Sequence, residues 1–394
     1  MTIPIARPFI GDDELQAVAA VLRSGWVTQG PEVVAFEKEF AEWVGAKYAC
    51  AASSCTTALH LALLAIGVGV GDEVITVSHS FIATANTIRY CGATPIFVDI
   101  QPDTYNIDPS LIEKVITDRT RAILCVHQMG MPCDIKAILA VASRHLVHVV
   151  EDAACAAGSE IFWNGAWEKI GKPHGDVACF SFHPRKAITT GDGGMITTSN
   201  RDWDARLRLL RQHGMDVPDT SRHAAKEVIF ESYPILGYNY RMTDIQAAVG
   251  REQLKRLTEI TARRRFLAQR YEELLADCRG LELPLEPDWA RSNWQSFCVR
   301  LANRYDQKQV MQKMLDLGIS TRRGIMCAHR EAAYTPATWS CGVRRDLCGC
   351  AHDTCENLQA SEEAQDHAIV LPLYHNMTLE DQDLVVAALR TACA

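Results

Sequence analysis

Between residues 74 and 151 the chain repeats one pattern: a short apolar run of strand length, then an amphipathic run of helix length. The strand-like runs are Val74 to Ser78, Pro95 to Asp99, Ala122 to His127 and Val147 to Glu151. The helix-like runs are Thr57 to Ile66, Ala83 to Tyr90, Pro109 to Ile116 and Ile135 to His145, after two earlier helices over Asp12 to Arg23 and Pro31 to Val44. Strands that alternate with helices pair in parallel and are covered on both faces, so the pattern predicts an α/β fold around a mostly parallel sheet. Strand-like segments Asp176 to Phe182 and Gly194 to Thr198 follow. From Thr243 to about Asp277 the sequence reads as one long helix without proline, and beyond it come a strand at Ser296 to Leu301 and helices at Gln307 to Leu317 and Leu379 to Thr391. We therefore expect a large lobe over residues 1–245 and, over 246–394, a linker helix with a smaller C-terminal α/β lobe, which suits a chain of 394 residues.

Composition narrows the function classes. Hydrophobic residues at 48% and charged residues at 22% fit a globular protein with a sizeable core. A net charge of −8 leaves no basic footprint, so nucleic acid is not an expected partner. No apolar run is long enough to cross a bilayer, and Met1 to Pro8 lacks the basic start and apolar stretch of a signal peptide. Fifteen dispersed cysteines suggest reduced thiols in the cytoplasm rather than a disulfide framework. Cys341, Cys348, Cys350, His352 and Cys355 have ligand types that suit zinc, with Cys327 and His329 able to join them in space. Their spacing lacks paired C-x-x-C knuckles, and the expectation is a thiol-rich loop without metal.

Several motifs carry chemistry. Gly67-Val68-Gly69-Val70-Gly71-Asp72 invites a dinucleotide-binding reading, but its glycines end a helix and precede a strand, the reverse of that fingerprint. It reads as a helix stop and turn. Ser53 to Thr57 joins a strand to a helix N-terminus, where free N–H groups and hydroxyls suit a phosphate; Ser54 serves equally as a simple helix cap. Glu151 and Asp152 follow an apolar strand, with only small residues after them, leaving room for a bulky group; a carboxylate there holds a pyridinium nitrogen protonated or caps a helix. Lys186 lies in a strand-to-strand connection followed by Thr189, Thr190 and Gly191, Gly193 and Gly194. A pocket there would lower its pKa by desolvation and nearby positive charge and free its amine for Schiff-base chemistry, whereas spacing alone also allows a surface lysine.

Together the segments Ser54-x-Thr56, Glu151-Asp152-Ala153-Ala154, Ser181-Phe182-His183-x-x-Lys186-x-Ile188-Thr189-Thr190-Gly191-x-Gly193-Gly194 and Gly237-Tyr238-Asn239-Tyr240-Arg241-Met242-Thr243 resemble the DegT/DnrJ/EryC1/StrS family of sugar aminotransferases, in the family's order and from near the N-terminus to Leu371-Pro372-Leu373-Tyr374. The resemblance implies the aspartate-aminotransferase type of pyridoxal-phosphate fold (fold type I). It implies that Lys186 anchors pyridoxal 5'-phosphate covalently and moves the proton, and that Asp152 pairs with the pyridinium nitrogen. Phe81 would stack on the ring, Thr56, Thr57 and Ser181 would bind the phosphate, and Asn239 would reach the cofactor of the neighbouring subunit in a homodimer. L-glutamate is the implied donor and a keto-sugar on a nucleotide diphosphate the implied acceptor, with Arg241, Arg322, Arg323 and His329 near the substrate. Cyclitol ketones are an alternative acceptor. A sugar dehydratase of the same family typically carries His where Lys186 stands, and a regulator on this fold would add a DNA-binding module. Two positions depart from the family's pattern: Cys55 where Gly often precedes the phosphate Thr, and Cys155 where Gln or His often bonds the ring hydroxyl.

Overall fold

The computed structural model describes residues 2–217, 225–335, 337–343, 348, 350 and 353–394. In chain order the elements are α1 (Asp12–Ser24), α2 (Pro31–Val44), β1 (Tyr48–Ala52), α3 (Cys55–Ala65), β2 (Glu73–Val77), α4 (Ala83–Tyr90), β3 (Thr94–Val98), α5 (Pro109–Ile112), β4 (Thr120–Val126), α6 (Ile135–His145), β5 (His148–Asp152), β6 (Glu160–Trp163), β7 (Ala166–Lys169), β8 (Val177–Ser181), β9 (Gly194–Thr198) and α7 (Arg201–Arg211). Then follow α8 (Asp244–Leu275), β10 (Leu281–Glu282), β11 (Ala290–Arg291), β12 (Phe297–Leu301), α9 (Gln307–Asp316), β13 (Arg322–Arg323), α10 (Gln359–His367), β14 (Ala368–Leu371) and α11 (Leu379–Ala392).

The central sheet has seven strands in the order β1-β9-β8-β5-β4-β2-β3. Every strand but β9 runs the same way, since β9 is antiparallel to both of its neighbours. The carboxyl ends of the parallel strands therefore open onto one edge, where ligands bind in sheets of this kind. This is the architecture of fold type I. Apolar side chains fill both faces: Phe36, Phe40, Ile75, Phe180 and Phe182 belong to one fully buried cluster, and Leu59, Leu61, Leu63 and Ile196 to another.

A second sheet, β10-β12-β14-β13, carries its own core of Phe297, Val299, Ile369, Leu371, Val385 and Leu389. Tyr271 and Leu275 of α8 enter that core, and the N-terminal Ile3 joins it through a bridge to Ile319. A three-stranded ribbon, β11-β6-β7, links the two regions, because β11 pairs with β6 of the large lobe.

The turn at residues 67–72 is the helix stop that the sequence predicts. Gly67 and Gly71 both take φ of 90°, a left-handed backbone that glycine adopts without a Cβ penalty. The helix predicted over Pro109 to Ile116 is shorter: α5 ends at Ile112 and a 3₁₀ turn spans Glu113–Val115. α8 has 32 residues, and Thr243 and Gln246 form a capping box at its start. Among the described residues, no helix is long and apolar enough to cross a membrane.

Candidate active site

The residues singled out in the sequence converge at the carboxyl edge of the central sheet. β1 ends at Ala52, and the chain turns directly into α3. Ser54 caps that helix: its Oγ accepts from the Thr57 backbone N–H at 3.1 Å, while the Thr57 hydroxyl donates to the Ser54 carbonyl at 2.8 Å. Ser181 closes β8, and both it and Ala52 are registered against Gly194 of β9. The fit is close enough that a Cβ on Gly194 would stand 2.4 Å from the Ser54 carbonyl oxygen and 2.8 Å from the Cys55 nitrogen. Glycine is required there so that the Ser181 strand end and the N-terminus of α3, with Thr56 and Thr57 in its first turn, form one concave cradle.

Asp152 is the last residue of β5 and is buried. Its Oδ2 accepts from the Thr84 hydroxyl at 2.8 Å and its Oδ1 from the Ala154 N–H at 3.1 Å. Burial lifts its carboxyl above the ordinary carboxylate range, against these bonds and the charge of Lys186. Thr84 is itself bonded to Ser80 at 2.8 Å, so the loop that carries Phe81 is tied to the Asp152 carboxylate. Phe81 stands 62% exposed at this edge, with its ring free to cover a planar group. Beneath Asp152, a fully buried pair joins His127 Nε2 to Glu151 Oε2 at 3.0 Å; the His127 Nδ1 accepts from the Cys133 N–H, so Nε2 is the donor.

The Lys186 loop is held from several sides. Phe182 and Gly193 pair across its base, the Thr189 hydroxyl donates to the Phe182 carbonyl, and the Thr189 N–H donates to Gln253 of α8 at 3.3 Å. Gln246 of the same helix donates to the Asp192 carbonyl at 2.7 Å. The Lys186 ammonium points at Cys155, with Nζ 3.0 Å from Sγ. Here the structure departs from the expected lowered pKa. Burial does pull the ammonium down, but Cys155, Cys55 and Asp152 more than offset it, and the net direction is upward. The positive neighbours invoked for a lowered value act elsewhere: burial, then Arg185, Lys186 and Arg322, depress the His183 imidazole.

The remaining candidates are placed unevenly. Arg322 and Arg323 are exposed on β13, and Arg322 lies near enough to Arg185 to lower its pKa after burial has done so. Asn239 is exposed and accepts from Arg241 Nε at 3.2 Å. His329 was expected at the substrate, but it is fully buried with both ring nitrogens engaged: Nδ1 to the Ser78 hydroxyl at 2.6 Å and Nε2 to Glu362 at 3.0 Å. No ring nitrogen is left for a ligand, and its place is to brace the loop that precedes Phe81. Sequence reasoning missed Thr84, Ser80 and the His127–Glu151 pair. The hydroxyls at positions 80 and 84 flanking Phe81 were the signal available for the first two.

The thiol-rich segment also differs from a plain loop. The sulfurs of Cys341, Cys348, Cys350 and Cys355 all lie within 4.8 Å of one another, and a disulfide joins Cys348 to Cys350. Cys327 bonds instead to the Ser361 carbonyl, and His352 lies outside the described residues.

Comparison with known proteins agrees with this geometry. Residues 8–390 match the DegT/DnrJ/EryC1/StrS aminotransferase family. The chain is 39% identical over 391 residues to GDP-perosamine synthase of Caulobacter vibrioides, covering 98% of this chain and 97% of that one. It is 43% identical over 299 residues to the spore coat polysaccharide biosynthesis protein SpsC of Bacillus subtilis, 76% of each chain. The PLP-form of the putative sugar aminotransferase Spr1654 from Streptococcus pneumoniae superposes with a TM-score of 0.87 at 26% identity, over 100% of this chain and 98% of that one. The chain belongs to the DegT/DnrJ/EryC1/StrS aminotransferase family, and is a sugar aminotransferase whose cofactor is pyridoxal 5'-phosphate.

Proposed function

We propose that this transaminase moves the amino group of L-glutamate onto a keto-sugar carried on a nucleotide diphosphate, within amino-sugar and polysaccharide biosynthesis. The observation that carries the reading is the convergence, at one sheet edge, of the Lys186 amine, the buried Asp152 carboxylate and the glycine-lined cradle at the start of α3. That donor set fits pyridoxal phosphate: an anion site for its phosphate, an acid for its ring nitrogen, an aromatic face and one amine. The 39% identity to GDP-perosamine synthase over nearly the whole chain supports a nucleotide-linked acceptor.

When bound, the cofactor supplies an electron sink for the carbon that loses its proton. The chain's own residues supply the rest. Thr56, Thr57 and Ser181 hold the phosphate with the N–H groups of α3, and Phe81 covers the ring. Asp152, kept in place by Thr84, holds a proton on the ring nitrogen; its burial strengthens that interaction. Lys186 is the covalent anchor, and Nζ then takes the α-proton of glutamate and later returns a proton to the sugar carbon. Arg241 and Arg322 bind substrate, and the nearness of Arg322 to Arg185 makes a cationic edge suited to a diphosphate. Asn239 reaches the phosphate held by the neighbouring subunit of a homodimer. The exposed apolar side chains Val228, Phe230 and Leu236, in the segment of chain that leads to Asn239, are consistent with such an interface.

The test is spectroscopic. Protein incubated with pyridoxal phosphate should show a band near the visible edge that moves to shorter wavelength when L-glutamate is added without acceptor. Screening keto-sugars on different nucleotides should then restore it. Lys186→Ala should lower turnover by at least about 10²–10⁴-fold, the range for a lost acid–base group. Wild-type turnover in that variant, or a spectrum indifferent to glutamate, would refute the assignment.

A further inference from the structure

The four cysteines at the far side of the large lobe form an arrangement that the amination chemistry does not use. Cys341, Cys348 and Cys355 are buried and Cys350 is partly so, in a small apolar cluster with Phe97, Trp339 and Leu358. Their Sγ atoms are 3.3 Å apart for Cys341 and Cys348, 3.7 Å for Cys341 and Cys350, 3.9 Å for Cys348 and Cys355, and 2.8 Å for Cys350 and Cys355. A tetrahedral zinc with Zn–S bonds of about 2.3 Å sets its sulfurs about 3.8 Å apart. The separations of 3.3, 3.7 and 3.9 Å, for Cys341–Cys348, Cys341–Cys350 and Cys348–Cys355, are near that edge. Only Cys350, the least buried of the four, stands inside it, against Cys348 and Cys355.

We propose that Cys341, Cys348, Cys350 and Cys355 form a tetrahedral thiolate site for a divalent cation of the zinc class. Four thiolates in a closed tetrahedron, with every position taken by protein, match a structural rather than a catalytic site. A shell of support is present. The Asn357 side-chain N–H₂ lies 3.3 Å from the Cys348 sulfur and 3.7 Å from that of Cys341, and N–H donors of this kind stabilise thiolate charge. The disulfide of Cys348 and Cys350 is the oxidised form of two of these thiols. A dithiol reductant returns it to two thiols and is itself oxidised to a disulfide, and each thiol that then binds the cation releases its proton to solvent.

The location says what the metal would hold. Between the 3₁₀ turn at Ala328–Arg330 and α10, the described residues form no helix or strand, and loops longer than about 12–15 residues without such structure are uncommon in compact domains. Yet this segment does two jobs. Ser340 pairs with the outer edge of β3, and Trp339 packs on Phe97 and on His329, which bonds to Ser78 before Phe81. A metal clip on Cys341 to Cys355 would add a cross-link to a segment that, among the described residues, has no helix or strand of its own.

The test uses the full chain, purified with a phosphine reductant, incubated with zinc chloride and desalted before metal analysis. About one zinc per chain is expected in the wild type, lost in Cys341→Ser and in Cys355→Ser, and retained in the control Cys278→Ser. Should those variants fold poorly, cobalt in the wild type should give the strong thiolate-to-metal absorption of a tetrahedral four-sulfur site. Substoichiometric zinc in the reduced wild type, zinc that survives loss of Cys341 or Cys355, or cobalt spectra without sulfur ligands would each overturn the proposal.

Discussion

At one margin of the central sheet, β1 turns its outer N–H and C=O groups to side chains; at the other, β3 turns them to a backbone. The Ala51 N–H donates to Glu37 Oε1 at 2.9 Å, the Ala51 carbonyl accepts from Arg211 at 2.7 Å, and the Ala49 carbonyl accepts from Arg208 at 2.7 Å. Glu37 pairs with both arginines, and both it and Arg211 are buried. Across the sheet, the Phe97 N–H donates to the Ser340 carbonyl at 2.7 Å and the Ser340 N–H to that of Pro95 at 3.1 Å. Proline at position 95 is tolerated because an edge strand has a side without ladder bonds. Both margins thus engage outward-facing polar groups of their edge strand. They do so with opposite dependences. The β1 margin rests on an ion triad supplied by helices, with Glu37 and Arg211 buried and Arg208 partly exposed, and the buried pair is intolerant of losing either member. The β3 margin rests on the ordering of an irregular segment.

The largest effect should come from Glu37→Ala. It leaves Arg211 as a buried, uncompensated charge, and we expect a loss of about 3–5 kcal/mol in urea unfolding. Because β1 leads straight into the α3 cradle, affinity for pyridoxal phosphate should fall too. The same site predicts a pH dependence. Burial acts to raise the Glu37 carboxyl, but Arg211 and Arg208 outweigh it and hold it below its ordinary value. The folded state therefore binds fewer protons than the unfolded one. The contribution is fully present above about pH 4.3 and is lost as pH falls toward the lowered value, at up to about 1.4 kcal/mol per pH unit. Glu37→Gln should flatten that slope.

Chelation should separate the margins. If the cysteine site holds zinc, a strong chelator should cost about 2.7 kcal/mol relative to zinc at a hundredfold excess over its Kd. The same decrement should appear in a Glu37→Gln background, since the two sites share no partner. Strongly non-additive values in a double-mutant comparison would show that the margins are coupled. The smallest effect belongs to Asp99, just beyond β3, whose carboxylate accepts from the Ala360 and Ser361 N–H groups at 2.9 and 2.8 Å and so caps α10 from a distance. Asp99→Ala should cost about 1 kcal/mol, read as a shift in Tm.

Much of this was legible in the sequence because it is local. The alternation from residue 74 to 151 reflects burial on both faces of a parallel sheet, and the strand end at Asp152 and the glycine-flanked Lys186 loop follow from neighbours in the chain. What escaped is long-range. The bond of Thr84 to Asp152 spans 68 positions and that of His329 to Ser78 spans 251, so the surroundings of His329 could not be read from residues beside it. β10, β11 and β13 have two residues each, too few for any period to register, and they exist only because partners are presented to them. The cysteines lacked knuckle spacing because their sulfurs are gathered by tertiary packing on Phe97 and Leu358 rather than by a local turn.

A closed sheet has a consequence for assembly. With Glu37, Arg208 and Arg211 on one flank and Ser340 on the other, neither margin offers, among the described residues, a free ladder onto which a second copy could add a strand. Copies of this chain therefore cannot associate by continuing the central sheet from molecule to molecule, the route that leads to open-ended fibres.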